Sequence, residues 1–532
     1  MDSSSSTRIT LCAHCGHHFP GDTGVSPIPY LLQNNRPPIP SDFSTIYHAI
    51  SEAQSDLSDR DRQINQTVAV LDDLRRKQVQ DEQYLKKLKG IIHPIRRTPP
   101  ELLAAIFMLT IPQQWQIASS SQSNNYRKSV LLPGQVCSMW REVSLSTPQL
   151  WSNISLNISR NGKRPKAEDA LVDTWLSRTG EYPLSIEIFQ GASSLVKPLS
   201  NALIASSSRW RYLLLSGSLA WLQSGALDGV RHRLSQLQTL VCDTRNNNII
   251  GNLPHRSMNL FAHTPRLHCY RFHSRTPDLP FNLPWTQLTE FSAEQIVLRN
   301  CYTTLSKAQN LVTCSISKIE SGNLSFPLLC HSQLRFLSIE QHSHSGDLLS
   351  HLTLPALVQL QYMEMQTFIN HFSESRSVLV AFLSRSVCSL QRLVLKLAPA
   401  DTTDDHVMRI LRLLPSLSEL QLMHSVTDKL LSRLTHRTSD SEAVIPRLHT
   451  IELARKGNGL SSRLADMIES RWKVGDAATE SAQGQVTRLR HVRVSLEQGI
   501  EATDSVRTRL RKLRDEGLDI WLTDKHRTTV GI

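Results

Sequence analysis

The most suggestive chemical grouping lies near the start of the chain, at Cys12-Ala13-His14-Cys15-Gly16-His17-His18. Two thiols two residues apart, with imidazoles beside them, make half of a tetrahedral zinc site. A closed site draws its other ligands from a second knuckle, and the sequence has no second pair of cysteines at that spacing. The expectation is therefore a solvated tail without metal, with Cys12 and Cys15 as the candidate ligands to test. His342, His344 and His351 read as solvated loop imidazoles. Cys137, beside Trp140 on the apolar face of a short helix, reads as a packed thiol, because no His or Asp signature surrounds it. The sequence contains no Gly-x-x-x-x-Gly-Lys-Ser/Thr phosphate loop, no His-Glu-x-x-His and no Gly-x-Ser-x-Gly elbow. Neither catalytic residues nor a cofactor are expected, so the chain reads as a protein that recognises rather than transforms.

The elements that position these residues begin with the stretch from Ile95 to Trp151. Pro99 and Pro100 suit the first turn of a helix, and Glu101 complements the positive end of its dipole. Leu102, Leu103, Ile106 and Phe107 follow at helical spacing, and Pro112 stops the run. A second short helix is expected to carry Val136, Cys137, Trp140 and Val143, with Pro148, Leu150 and Trp151 closing the unit. The polar insert Gln113–Ser129 between them reads as a surface loop. Helices this short cannot bury themselves alone; they need a third helix, a partner, or both.

This stretch resembles an F-box, in the form common among fungal F-box-like proteins. The resemblance rests on Pro99-Pro100-Glu101-Leu102-Leu103, Ile106-Phe107, Val136-Cys137, Trp140-Arg141, Ser146-Thr147-Pro148 and Leu150-Trp151. It implies docking on a Skp-family adaptor and, through it, on a cullin. The adaptor contacts it implies are Pro99, Pro100, Leu102, Leu103, Ile106, Phe107, Val136 and Trp140, with Phe107 and Trp140 expected to pack the unit's own core. The family usually has Leu before the first Pro, whereas this chain has Thr98, which trims the apolar contact by ~1 kcal/mol.

Composition bounds the rest. At 532 residues the chain needs two or more structural units, and 40% hydrophobic with 20% charged residues is ordinary for a globular protein. The net charge of +12 is spread along the chain with no recognition motif, so a solvated basic surface is expected rather than a nucleic-acid site. Nine cysteines scattered mostly singly through apolar patterns fit buried thiols in a reducing compartment. Met1 to Thr7 is polar and no apolar run approaches the length of a membrane span, so cytosol or nucleus is expected. Without a secretory signal, the sequons at Asn153 and Asn157 read as chance.

Four regions follow. Residues 1–44 read as a disordered tail, Ser-rich and then Pro-rich. Residues 45–93 read as one helix of about 70 Å, with Ile46, Ile50, Ala53, Leu57, Ile64, Leu71, Leu74, Leu85, Leu88 and Ile92 on a four-three seam. Arg60, Thr67, Gln78 and Asp81 interrupt that seam. It suggests a coiled coil and self-association, with folding back on the chain as the other reading. The family often carries a comparable coil before its F-box. Residues 94–160 read as the helical unit that resembles an F-box.

Residues 165–525 read as leucine-rich-repeat-like. An anchor Leu is followed by apolar residues three and five places on, as in Leu237, Leu240 and Cys242 or Leu267, Tyr270 and Phe272. Further anchors are Leu288, Leu311, Leu334, Leu357, Leu390, Leu417, Leu448 and Leu489, at spacings of 21 to 41 residues. The predicted fold class is α/β: a long N-terminal helix, a small helical unit, then a solenoid of mostly parallel strands with helices outside. A plain parallel α/β domain is the rival. The middle connectors look too short for full helices. Residues between the anchored positions, such as Gln238, Thr239, Val241, Ser418, Glu419 and Gln421, are expected to face the concavity and read a protein target.

Two functions fit. One is the substrate-recognition subunit of a Skp–cullin–F-box ubiquitin ligase; the other is a scaffold with a degenerate F-box not coupled to ubiquitination, motivated by Thr98 and the polar insert.

Overall fold

The computed structural model describes residues 9–10, 18–19, 26–111, 128–158, 166–190, 201–217, 227–245, 258–274, 279–320, 326–341, 346–364, 372–398, 403–436, 443–455, 460–475, 486–496, 504–523 and 529–530. The chain divides into two compact units, Met1–Pro99 and Pro100–Ile532.

The first unit is dominated by helix α1, Asp42–Ile91, in which no residue is buried. It begins three residues earlier than the seam predicts, because Asp42 is itself helical. The tail ahead of it is not featureless. Ile9–Thr10 pairs antiparallel with His18–Phe19, and Pro29–Leu32 forms one helical turn. Cys12 and Cys15 lie outside the described residues.

The second unit opens with α2 (Pro100–Thr110), α3 (Ser138–Leu145) and α4 (Pro148–Trp151). A fifteen-stranded sheet follows, its strands lying in sequence order. They are β1 Asn153–Ile158, β2 Leu184–Gln190, β3 Trp210–Ser216, β4 Thr239–Asp243 and β5 Cys269–His273. Next come β6 Glu290–Val297, β7 Thr313–Glu320, β8 Phe336–Gln341, β9 Gln359–Glu364 and β10 Arg392–Lys396. The last are β11 Glu419–Ser425, β12 Thr450–Arg455, β13 His491–Leu496, β14 Asp519–Thr523 and β15 Thr529–Val530. Every neighbouring pair is parallel except the final one, β14 with β15.

The anchor leucines explain the register. Leu237, Leu267, Leu288, Leu311, Leu334, Leu357, Leu390, Leu417, Leu448 and Leu489 are all buried. The residue three places after each falls into one continuous row: Leu240, Tyr270, Phe291, Cys314, Leu337, Leu360, Leu393, Leu420, Ile451 and Val492 are paired strand to strand. Each such side chain contributes ~1.5–3 kcal/mol of burial. The backbone repeats as well. At successive junctions two consecutive N–H groups donate to one carbonyl of the preceding strand, as His268 and Cys269 do to Gln238, and Ser418 and Glu419 to Gln391.

Among the described residues, helices lie in nine of the connections: α5 Lys166–Thr179, α6 Asn201–Ala205, α7 Leu298–Lys307, α8 Gly346–Ser350, α9 Phe372–Ser386, α10 Thr403–Arg412, α11 Asp428–Leu434, α12 Ser462–Trp472 and α13 Asp504–Asp515. Gly517, at φ +102°, reverses the chain after α13.

Three expectations are corrected. The sheet begins at Asn153, inside the region read as helical to residue 160. There Asn153, Ile154, Ser155 and Leu156 are all buried, so Asn153 is a strand residue and no glycan acceptor. Three strands precede the first anchor, Leu237. One middle connector holds a ten-residue helix, α7, which buries Leu298, Cys301, Thr304 and Leu305, whereas those between β5 and β6 and between β7 and β8 hold no α-helix among the described residues, as expected.

Several arginines are structural. Arg471 is buried and donates to the carbonyls of Leu434, Val444 and Ile445, and Arg385 donates to those of Leu349 and Leu352. Part of the basic excess is thus internal. Burial also pushes the thiols of Cys242, Cys269, Cys301 and Cys314 up, which keeps them neutral and packed. Among the described residues no helix is long and apolar enough to cross a membrane.

Candidate docking face

Helix α2 starts at Pro100, whose missing N–H costs nothing at a helix N-terminus, and Glu101 sits in its first turn. Its apolar residues fall on two faces. Leu103 and Phe107, four apart, point inward and are buried. Leu102, Ile106 and Leu109, at four-three spacing, point outward; Leu102 is 57% exposed and Ile106 41%.

Local bonds hold the partner helix. Cys137 is the extended N-cap of α3, and its Sγ accepts from the Trp140 N–H at 3.5 Å. Arg141 Nε donates to the Gly134 carbonyl at 2.9 Å, tying the turn Pro133–Gln135 to the helix. The Phe107 and Trp140 rings meet at 5.0 Å between centroids. Thr147 Oγ1 donates to the Val143 carbonyl at 2.6 Å and Trp151 Nε1 to the Ser144 carbonyl at 2.9 Å. Trp151 also packs edge-on against Trp175 of α5 at 5.3 Å, with the Arg178 guanidinium 4.2 Å over its ring. The buried side of this helical group is therefore finished within its own unit.

The sequence-derived contact residues separate accordingly. Pro99, the last residue of the first unit, and Pro100, the first of the second, are exposed, as are Leu102, Ile106 and Val136. Trp140 is half-buried against Phe107, while Leu103 and Phe107 are core. Leu103 and Phe107 thus belong to the inner face, and an outside partner reaches neither without dismantling the group. Val136 lies in the turn before α3 rather than on it, and is 63% exposed. Cys137 is exposed rather than packed.

Met108, Leu109, Leu131, Leu132 and Leu145, which are not among the expected contact residues, are also exposed. Leu109 shares the Leu102–Ile106 stripe, and helical spacing alone identifies it; nothing in the pattern marks the others. Among the described residues of Pro100–Ile532, fourteen large apolar side chains are exposed, and eight of them lie between Leu102 and Leu145. Exposed apolar side chains are thus denser in this stretch than elsewhere among the described residues of Pro100–Ile532. Residues 112–127 lie outside the described residues; 128–131, which follow them, are helical, so the expected loop ends before Lys128.

The sheet supplies a second surface, on the face away from the anchored core. From β6 onward it is mostly polar and partly open, with Glu290, Thr313, Gln359, Glu419, Gln421 and Thr450 half-buried, although Val394 of β10, in register with Gln421, is buried. Cross-strand pairs lace it, including Arg271–Glu290 at 3.7 Å, Arg392–Glu419 at 3.5 Å and His491–Asp519 at 2.9 Å. Gln238, Thr239 and Ser418 are also half-buried. Val241 is not open: it is buried with Phe189 and Leu214, with Tyr212 packed against them. At this end of the face the target-reading expectation is corrected.

Beside that cluster the Glu187 side chain is fully buried. Burial lifts its pKa from the ordinary 4.5 to about 7, against a smaller lowering by Ser155 and Asn153. A carboxyl whose folded pKa is raised binds its proton more tightly when folded. Stability therefore falls as pH rises from about 4.5 to about 7. Glu187→Gln is expected to flatten that slope and to add ~2–3 kcal/mol at pH 8. Urea unfolding at pH 5 and pH 8 checks this; an unchanged pH slope in the variant contradicts it.

Among the described residues no group of three or more His, Cys, Asp or Glu side chains is placed to hold a metal. His342 and His344 lie outside the described residues. In comparison with known proteins, no family model matches the chain and no curated protein matches it.

Proposed function

We propose that the chain is the substrate-recognition subunit of a Skp–cullin–F-box type ubiquitin ligase. The helical group at Pro100–Trp151 docks on a Skp-family adaptor, and the repeats, stacked as a leucine-rich-repeat-like solenoid, hold a protein target on their polar face. Such a subunit makes and breaks no bonds itself. It raises the concentration of target lysines near a charged conjugating enzyme. The observation that carries this reading is the gathering of eight exposed apolar side chains between Leu102 and Leu145, on a group whose inner face is already closed by Phe107, Trp140 and Trp151. Burying an exposed Leu or Ile contributes ~1.5–3 kcal/mol, so four of them supply ~6–12 kcal/mol, the same order as the ~4–15 kcal/mol that association costs.

The test is capture of the tagged full-length chain from cells that also express the adaptor and cullin. The expected result is recovery of both. Recovery of neither rejects the reading, and recovery of other proteins without them favours a scaffold uncoupled from ubiquitination.

A further inference from the structure

Helix α1 runs 50 residues without burying one of them. A helix of that length in water, held only by local pairs such as Arg62–Asp59 and Lys77–Asp73, draws little stability from them. Its four-three seam stands in solvent, with Ile50, Leu57, Ile64, Leu71, Leu74, Leu85 and Leu88 all exposed. The polar interruptions, and the charges that flank the seam, decide what covers it.

Written as heptads, the seam has Ile50, Leu57, Ile64, Leu71, Gln78 and Leu85 at the a positions, and Ile46, Ala53, Arg60, Thr67, Leu74, Asp81 and Leu88 at d. A parallel, in-register second copy sets Arg60 against Arg60 and Asp81 against Asp81, because d faces d. It also brings Asp56 and Asp61, at g and the following e, into like-charge contact across the interface, which the opposite-charge pair of Lys77 and Glu82 at the same positions offsets, so the conflict at d decides. An antiparallel copy, in which a faces d, removes all three conflicts.

One antiparallel alignment fits the sequence, with its two-fold axis near Ala69. It sets Ile50 against the partner's Leu88, Ile64 against the partner's Leu74, Leu85 against the partner's Ala53, and Gln78 against the partner's Arg60, polar facing polar. Thr67 meets Leu71, and Leu57 against Asp81 is the mismatch. At the e positions Asp61 meets the partner's Arg75, an opposite-charge pair made twice. Where the axis passes, each residue meets its own copy, so a charge there repels itself. The flanking residues at that place are Val68 and Val70, both exposed and uncharged.

We infer that α1 pairs antiparallel with α1 of a second copy of this chain about an axis near Ala69. With 50 residues at ~1.5 Å each, this pairing puts the C-terminal ends of the two helices at opposite ends of a rod about 75 Å long. A parallel coil sets them side by side. The inference stands on α1 alone and does not rest on the adaptor reading.

The experiment is light scattering of the full-length chain over a dilution series, with Asp61→Lys and the double variant Asp61→Lys/Arg75→Glu. Antiparallel pairing predicts a mass near 120 kDa, twice the 60.1 kDa chain. It predicts that Asp61→Lys weakens the dimer roughly tenfold, since two attractions become repulsions, and that the double variant restores most of the loss. A monomer at every concentration overturns the inference. So does an Asp61→Lys dimer that is tighter, which is the parallel arrangement relieved of Asp56 against Asp61, or one that is unchanged, which places the contact elsewhere.

Discussion

Replacing Leu102 and Ile106 together by Asp is expected to weaken adaptor binding at least a hundredfold while leaving the thermal unfolding of the chain unchanged. Both side chains are exposed in the free protein, so charge there costs the fold little. In a complex, the same two positions would place two carboxylates in an apolar contact. Burial of an unpaired charge, added to loss of two apolar side chains, exceeds the ~2.7 kcal/mol that a hundredfold represents. Leu103→Asp is the informative contrast. Leu103 is fully buried, so that variant is expected to unfold the helical group and to lose adaptor binding for a different reason. Titration of adaptor against each variant, with circular dichroism melts alongside, separates the two. Full binding by the Leu102→Asp/Ile106→Asp variant contradicts the assignment of this face.

The second large effect concerns stability. Arg376, on α9, is almost wholly buried, and its guanidinium reaches Glu364 at the end of β9, with Nη2–Oε2 at 3.1 Å. It also donates to Thr403 Oγ1 at 3.3 Å and to the Ala398 carbonyl, while the Ala398 N–H donates to Glu364 Oε2 at 2.7 Å. One ion pair thus ties together a strand, a helix, a loop and the start of α10. Burial outweighs Arg376 and holds the Glu364 carboxyl above its ordinary value. Arg376→Met leaves that carboxylate buried and unpaired, and is expected to cost ~3–5 kcal/mol at pH 8. In the variant Glu364 binds a proton more readily when folded than when unfolded. The cost should therefore shrink as pH is lowered towards 5. Replacing both, as Glu364→Met/Arg376→Met, should recover most of the loss, because no charge remains buried. A loss below 1 kcal/mol for the single variant, by urea unfolding, contradicts this account of the joint.

Much of the sheet was legible because one residue type repeats at one position. Leu237, Leu267 and their successors are buried in every repeat, and the residues three and five places on supply the strand period. The first three strands lack that anchor. In β3, Leu213, Leu214 and Leu215 are all buried, so alternation is erased where both faces of the sheet are covered. In β1 the alternating apolar residues are spaced by Asn and Ser, which read as sequons. The connector that holds α7 looks too short by length, although a ten-residue helix fits within a 23-residue repeat.

The exposed apolar stretch was legible as a set of residues but not as a surface. Leu102 and Leu103 are neighbours about 100° apart on a helix, and spacing cannot say which one points in. The choice is made by Phe107 and Trp140, brought together across the insert by the fold. Cys137 shows the same limit: its sulfur caps a helix whose start the periodicity placed slightly too early. The Val241 cluster and the buried Glu187 depend on register between strands far apart in sequence, which no local pattern records.

The most direct measurement is calorimetric titration of the purified full-length chain with a purified Skp-family adaptor at several temperatures. Docking through the open Leu102–Leu145 face predicts one-to-one binding with a dissociation constant at or below about 1 μM and a negative heat-capacity change from burial of apolar surface. Absence of binding at adaptor concentrations of about 100 μM, with the chain folded, would contradict it.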